Sequence, residues 1–326
     1  MQSTDITVLK QARDWLADGH LVWLASVLKT YGSSPRQPGA MCAIRDDGLL
    51  IGSVSGGCIE DDLKDKAVAG QLPATEVQFL TYGESVADRD RFRLPCGGTL
   101  RLAIETVTDA GWLTAVLNNI EQRLPISRRL LLSSHQSRVE DVGADSSPVS
   151  ETAAEIRFVY GPRARLLLIG AGETSAYLAK MASALDFQVL VAEPREDMQV
   201  TWQAEDGELL AMMPDDAVLK IKPDQDTSIV TLTHDPKLDD MALLEALKSD
   251  AFFVGSLGSK RTNAKRRERL AMFDLTQSQI NRLHGPVGLD IGSKTPAEIA
   301  VAILAQLVQL RQAKAQTPAI QAVSNG

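Results

Sequence analysis

The segment that most limits what this chain can fold into lies just past its midpoint. Leu166 to Ile169 is a short uninterrupted apolar run, followed by Gly170-Ala171-Gly172-Glu173-Thr174-Ser175-Ala176, a helix-length segment, and a second apolar run from Val189 to Ala192. A buried strand, a glycine turn, a helix and a second buried strand open a βαβ unit, whose strands are parallel because the helix carries the chain back. Strand-like runs at Ser228 to Leu232 and Phe252 to Val254 extend the pattern. The reading is an α/β fold with a C-terminal Rossmann-like doubly wound domain. Its last helix is signed by Thr295-Pro296-Ala297-Glu298, a capping box with proline at the first helical position, and by an apolar face of Ile299, Ile303, Leu307 and Leu310.

At 326 residues the chain is long enough for two cores, and 44% apolar with 23% charged residues is ordinary globular composition. The first half reads as a mixed α/β domain. A helix after Asp5 carries Leu9, Ala12, Trp15 and Leu16 on one face, Val22 to Leu28 reads as a strand, and Met41 to Ile44 and Leu49 to Val54 form a hairpin about Asp46-Asp47-Gly48. Ile59, Leu63 and Ala67 then recur at helical spacing until Gly70, and strands are predicted near Thr75 to Thr81, Thr99 to Glu105, Arg129 to Leu132 and Ile156 to Tyr160. The polar stretch 137–153 reads as an exposed hairpin tip. With the boundary at Gly161-Pro162, the division is 1–160, an N-terminal α/β domain; 161–313, the Rossmann-like domain; and 314–326, a flexible tail fraying after Arg311.

The formal charge of −8 argues against nucleic acid as a partner, because a phosphate polymer meets a mostly repulsive surface. No apolar run approaches the roughly 18 residues of a membrane span, and no secretory signal pattern precedes the first helix, so a cytoplasmic address is the expectation. Cys42, Cys58 and Cys96 are too few and too scattered for a disulfide framework or a zinc site.

Several short motifs can carry chemistry. Gly170 and Gly172 let a backbone approach a pyrophosphate at a helix start, and Glu193, ending the next strand, can accept from a ribose hydroxyl; a scaffold that keeps the turn only for packing reads the same way. Glu173 places a negative charge in that turn. Gly258-Ser259-Lys260-Arg261 and Gly292-Ser293-Lys294 each precede a predicted helix, where amides, a hydroxyl and a lysine suit a phosphate, although neither is a P-loop. The first runs into Lys265, Arg266, Arg267 and Arg269, which is a solvated basic face or an anion-binding surface.

Cys58 follows Gly56-Gly57 and immediately precedes a helix, where the dipole and free amides stabilise a thiolate. Cys96 stands before Gly97-Gly98, which leave a sulfur accessible. Both read as ligands or nucleophiles, against thiols tolerated in tight turns; Cys42, inside an alternating strand, reads as a buried small hydrophobe. The loop Tyr31 to Gly39 holds Ser34 and Arg36, a phosphate fork or merely a connection. His234 and Asp235 fall at the C-terminal end of a predicted strand, the edge where open α/β sheets bind ligands.

Taken together, Gly32-Ser33-Ser34-Pro35-Arg36, Gly52-Ser53-Val54-Ser55-Gly56-Gly57-Cys58-Ile59-Glu60, Cys96-Gly97-Gly98, Thr233-His234-Asp235-Pro236, Gly258-Ser259-Lys260-Arg261 and Pro286-Val287-Gly288-Leu289-Asp290-Ile291-Gly292 occur in the order of the XdhC/CoxI family, which the chain resembles over nearly its whole length. The resemblance implies an accessory protein, not an enzyme, that binds the molybdenum cofactor (molybdopterin, or its cytosine dinucleotide form), protects it while a cysteine desulfurase installs a terminal sulfur, and delivers it to a molybdenum hydroxylase apoenzyme such as a xanthine dehydrogenase or an aldehyde oxidoreductase. A cofactor-biosynthesis or nucleotidyl-transfer enzyme is the implied donor. The chain departs from the family in carrying Glu173 where histidine is common. On this reading Cys58 and Cys96 face molybdenum while the Rossmann-like half holds a nucleotide end. A nicotinamide-dependent oxidoreductase and a docking scaffold between desulfurase and apoenzyme are the competing readings. A homodimer is the default oligomer.

Overall fold

The structure is a computed structural model that describes residues 3–31, 36–85, 88, 92, 99–143, 147–203 and 207–316. The chain divides into two compact units, Met1–Pro162 and Arg163–Gly326.

The described elements of the first unit are α1 (Ser3–Ala17), β1 (Val22–Tyr31), β2 (Met41–Arg45), β3 (Leu50–Gly52), α2 (Cys58–Val68), β4 (Val77–Tyr82), β5 (Thr99–Thr106), α3 (Gly111–Glu121), β6 (Ile126–Leu131), β7 (Ser137–Asp141), β8 (Val149–Glu151) and β9 (Glu155–Tyr160). They form an antiparallel sheet ordered β3-β2-β1-β5-β4 and a second antiparallel sheet ordered β7-β6-β9-β8. Strand β1 is apolar without interruption at its start because both of its faces are covered. Val22, Leu24 and Leu28 join a cluster with α1, α3 and the second sheet, while Trp23, Ala25 and Val27 join another with Ile59, Leu63 and Ala67 of α2.

Polar side chains link the two sheets of this unit. Arg128 on β6 is fully buried, and its guanidinium grips the Glu105 carboxylate on β5 in a fork, with Nη1 donating to Oε1 at 2.8 Å and Nη2 to Oε2. Its Nε donates to Ser137 Oγ at 2.8 Å, and Trp112 lies beneath it with 3.6 Å between guanidinium carbon and ring centroid. Burial works against the charge, but Glu105 outweighs it and holds the arginine above its ordinary pKa. Arg101 on β5 forms a similar fork with Glu151 on β8.

Two sequence-based expectations change here. Helix α3 lies in a stretch to which the sequence reading assigns no element, although Trp112, Leu113, Val116, Leu117 and Ile120 form its buried stripe. The stretch 137–153, read as a hairpin tip, contains strands β7 and β8; both are edges of the second sheet, and Ser137 and Glu151 on them are held by Arg128 and Arg101.

The second unit comprises β10 (Arg165–Ile169), α4 (Glu173–Ala184), β11 (Gln188–Ala192), α5 (Glu196–Thr201), β12 (Glu208–Leu210), α6 (Pro214–Ile221), β13 (Thr227–Thr231), α7 (Pro236–Ala246), β14 (Phe253–Ser256), α8 (Lys260–Leu270), α9 (Gln277–Asn281), β15 (Leu283–His284) and α10 (Pro296–Gln316). Its sheet is parallel and ordered β12-β11-β10-β13-β14-β15, which places the reversal of strand order between β10 and β13. Alternation along β10 divides the core. Leu166 and Leu168 pack with α4 and α10, and Leu167 and Ile169 with α6 and α7.

The capping box of α10 is complete: Glu298 Oε2 accepts from Lys294 N at 2.8 Å and Thr295 N at 2.9 Å, and Thr295 Oγ1 accepts from Glu298 N at 3.3 Å. The helix does not fray after Arg311 but continues to Gln316, where Lys314 Nζ donates to Gln225 O at 2.7 Å and lies over the Phe252 ring. Among the described residues no helix is long and apolar enough to cross a membrane.

Candidate functional site

The residues singled out in the sequence fall into two groups, one in each unit. Ser34, Cys96, Gly97 and Gly98 lie outside the described residues, and Arg36 is half-buried between β1 and β2.

In the first unit the chain leaves β3 and enters α2 through Ser53 to Gly57, which sets Cys58 at the first position of the helix. Among the described residues, a Cβ added at Gly56 or Gly57 meets nothing within 4 Å. The amides of residues 54–57 are engaged. Glu60, at the third helical position, turns back and accepts from Ser53 Oγ at 2.7 Å, Val54 N at 2.8 Å, Ser55 N at 2.8 Å, Gly56 N at 3.0 Å and Gly57 N at 2.8 Å, with a sixth bond from Ser55 Oγ. An anion from the same helix therefore takes the turn amides that the sequence reading left to a Cys58 thiolate. Burial works against this carboxylate's charge, but the donors, led by Ser55, outweigh it and hold the pKa down to about 2. Behind the turn, Cys42 on β2 is fully buried, and burial with the nearby Glu60 charge pushes its thiol pKa far up, leaving it inert.

In the second unit the loops after β10, β11, β13 and β14 share the C-terminal edge of the parallel sheet. Gly170 ends β10 at φ 100, and a Cβ there would stand 2.8 Å from Thr233 Cγ2. The loops on either side of the strand-order reversal thus touch, and only glycine supplies both the backbone angle and the clearance. Gly170→Ala is expected to destabilise this unit by about 1–3 kcal/mol in urea unfolding; an unchanged midpoint would contradict the close approach. Gly172 caps α4 beside open space, and Glu173 is exposed at the next position.

Glu193 is fully buried beyond β11. Its Oε1 accepts from Arg195 N at 3.0 Å and Arg195 Nε at 2.8 Å, and its Oε2 accepts from Ala171 N at 2.9 Å and Arg195 Nη2 at 2.8 Å. The acceptor positions of a carboxylate are filled. A ribose hydroxyl would have to displace Arg195 or the turn amide, so Glu193 is not the free ribose acceptor expected from sequence. Arg195 opposes the effect of burial and holds the Glu193 pKa below its ordinary value.

Past β13, Asp235 caps α7 by accepting from Lys237 N at 2.9 Å, while His234 is exposed. Past β14, Ser259 caps α8 by accepting from Thr262 N at 3.0 Å, leaving Lys260 and Arg261 exposed after Gly258. The basic run behind them is neither a solvated face nor a single anion surface. Arg266 is buried and donates from Nη2 to Asp239 Oδ2 at 2.7 Å and from Nη1 to Leu257 O at 3.0 Å; Arg267 donates to Leu283 O and Arg269 to Asp240. These arginines fasten α8 to the sheet edge and to α7. Glu60, Arg195 and the Asp239–Arg266 pair escaped the sequence reading. For Glu60 the signal was present, because a glutamate three residues after a helix cap is half of a capping box.

Among the described residues no cluster of three or more His, Cys, Asp or Glu side chains is placed to hold a metal ion. The fold and its loops thus define a two-unit α/β protein that carries a glycine turn into a helix in its first unit and a Rossmann sheet edge in its second. The chain belongs to the XdhC and CoxI family: residues 15–83 match the model described as the XdhC and CoxI family, and residues 166–307 match the XdhC Rossmann domain.

The chain is 27% identical over 305 residues to the molybdenum cofactor insertion chaperone PaoD of Escherichia coli (strain K12), covering 94% of this chain and 88% of the relative. It is 24% identical over 334 residues to a probable xanthine dehydrogenase subunit of Bacillus subtilis (strain 168), covering 91% and 95% of the two chains. A crystal structure described as a xanthine dehydrogenase from Bacillus halodurans superposes with a TM-score of 0.74 at 25% identity, covering 97% of this chain and 98% of that one.

Proposed function

We propose that the chain is an accessory protein that carries the molybdenum cofactor, as cargo, to a molybdenum hydroxylase. The observation that carries this reading is the similarity to a molybdenum cofactor insertion chaperone along nearly the full length of both chains. The site geometry supports it. Cys58 enters a helix at the positive end of its dipole, beside a turn where a Cβ at Gly56 or Gly57 meets nothing within 4 Å among the described residues, and a thiolate there is a soft donor suited to a sulfur-rich metal centre. Cys96, followed by Gly97 and Gly98, is the second thiol of the proposal.

When bound, the cargo supplies the molybdenum chemistry of its client; this chain binds it, protects it while a cysteine desulfurase adds the terminal sulfur, and releases it to the apoenzyme. In the second unit, the glycine turns at Gly170, Gly172 and Gly258 to Arg261, with Lys260 and Arg261 exposed, are our candidate place for a nucleotide phosphate. The filled carboxylate of Glu193 weakens the competing nicotinamide reading, which needs a free ribose acceptor.

Protein purified anaerobically from cofactor-producing cells is expected to retain molybdenum and pterin in near-stoichiometric amount. Cys58→Ala or Cys96→Ala is expected to lower that content at least about tenfold, the loss of one strong ligand bond. Wild-type protein that holds none, even after cofactor is added back, would leave the docking scaffold as the better account.

A further inference from the structure

Four loops of the second unit are seated on one buried ion pair. Asp239 on α7 and Arg266 on α8 are both buried, and Arg266 Nη2 donates to Asp239 Oδ2 at 2.7 Å. The other carboxylate oxygen holds the loop after β13. Asp239 Oδ1 accepts from Thr233 N at 3.2 Å and Thr233 Oγ1 at 2.8 Å, and Asp235 N donates to Thr233 Oγ1 at 3.1 Å. Nη1 of Arg266 holds the loop after β14. It donates to Leu257 O at 3.0 Å, to Ser256 Oγ and to Asn263 Oδ1 at 3.3 Å, and Asn263 Nδ2 donates to Gly258 O at 3.1 Å. Two glycines extend the arrangement. A Cβ at Gly170 would stand 2.8 Å from Thr233 Cγ2, and one at Gly285 would stand 2.2 Å from Asn263 Oδ1. The turns after β10 and β15 thus lean on side chains that the pair itself fixes, while His234, Ser259, Lys260 and Arg261 are exposed on the same loops.

Stability does not account for this pair. Burial raises the Asp239 pKa above its ordinary 3.8, outweighing Thr233 and Arg266, which pull the other way. A carboxylate whose pKa rises on folding costs stability as pH climbs past the ordinary value, so at neutral pH its charge works against the fold. Glu60 and Glu193, held below their ordinary pKa, do the opposite. An aliphatic pair of similar volume would fill the position without that cost. It could not offer an oxygen to the Thr233 amide on one side and N–H groups to the Leu257 carbonyl on the other. Geometry is what the charged pair supplies.

We propose that Asp239 and Arg266 are positioning residues: through Thr233 and Leu257 they lock the loops after β13 and β14 into one rim that meets a bound phosphate as a unit. The inference rests on the reading of the glycine turns and Gly258 to Arg261 as the place for a nucleotide phosphate, and it names the residues that shape that place from beneath. Asp239 is bonded to the first loop and Arg266 to the second. A change at either therefore reaches the other loop through the pair.

Amide hydrogen exchange of the full chain, with urea unfolding alongside, tests the lock. Asp239→Asn and Arg266→Lys are each expected to speed exchange at least about tenfold at Thr233 and Asp235 in one loop and at Thr262 and Asn263 in the other, while Leu167 and Leu190 in the sheet stay protected. The aliphatic double variant D239L/R266M separates position from stability. It is expected to unfold at or above the wild-type urea midpoint, because no charge is left buried, and yet to keep fast exchange in both loops. Cytidine diphosphate is the probe for the phosphate place; the double variant is expected to bind it at least about tenfold more weakly than wild type, because the contacting groups are no longer held in place. Exchange that rises only in the loop bonded to the altered residue would overturn the lock. So would a double variant whose loops regain protection along with its stability, or one with loose loops that binds the diphosphate as tightly as wild type. If both loops loosen as expected and wild type takes up no diphosphate, the lock stands and the phosphate place falls.

Discussion

Arg128→Met is expected to lower the stability of the first unit by about 3–5 kcal/mol, the cost of leaving a buried charge without its partner. The guanidinium is fully buried, forks onto Glu105, donates to Ser137 and lies on the Trp112 ring, so a methionine fills the volume but satisfies none of these donors' partners. Glu105 is then left charged in a place water cannot reach, or takes up a proton to escape it. Because Arg128 is on β6 and Glu105 on β5, the lost fork is one that joins two sheets. Urea unfolding followed by tryptophan fluorescence reads the loss, since Trp112 sits beneath the guanidinium. The double variant R128M/E105L is expected to return most of the stability, because two aliphatic side chains need neither charge nor donor. A single variant within about 1 kcal/mol of wild type, or a double variant worse than the single, would show that the pair is not the tie described here.

The second large effect is expected at Glu60, and it is a function of pH. The donors on its carboxylate lower the folded pKa from an ordinary 4.5 to about 2. A group whose pKa is depressed on folding stabilises the fold above its unfolded pKa, and that contribution drains away as pH falls through the window from about 4.5 to about 2. At about 1.36 kcal/mol per pH unit the span is worth about 3 kcal/mol. Glu60→Gln turns an amide nitrogen toward backbone amides that can only donate, so at neutral pH it is expected to cost a similar amount and to loosen the turn that leads into Cys58. The gap between wild type and variant should narrow steadily between pH 5 and pH 2.5, and urea unfolding at stepped pH measures it. A gap that stays constant across this window would mean that the carboxylate's charge does not hold the turn. On the proposed function, the variant also loses cargo at neutral pH, with the thiol still present.

The readings that survived intact rest on local patterns. The apolar run at Leu166 to Ile169, the turn at Gly170 and the run at Val189 to Ala192 are contiguous, and their periodicity alone predicts strand, turn, helix and parallel strand. The capping box at Thr295 is equally local, four residues whose side chains answer one another's amides. The expectations that changed concern where a side chain finds its partner. Glu193 stood at the position of a ribose acceptor, but Arg195 and the Ala171 amide had already filled it. Arg266, Arg267 and Arg269 looked like one basic face; the helix turns them toward acids and carbonyls on other elements.

By itself the sequence determined the two-unit α/β organisation, the Rossmann turn and the order of motifs that marks the family, because these depend on periodicity and spacing between near neighbours. Tertiary structure alone decided which charges are buried and paired. Glu105 and Arg128 lie 23 residues apart and meet only because the two sheets share a core. The strand order that sets Gly170 against Thr233 likewise depends on β13 returning beside β10 rather than beyond β12. A charge in the sequence carries no record of the dielectric it will occupy; packing assigns that when distant strands come together and exclude water.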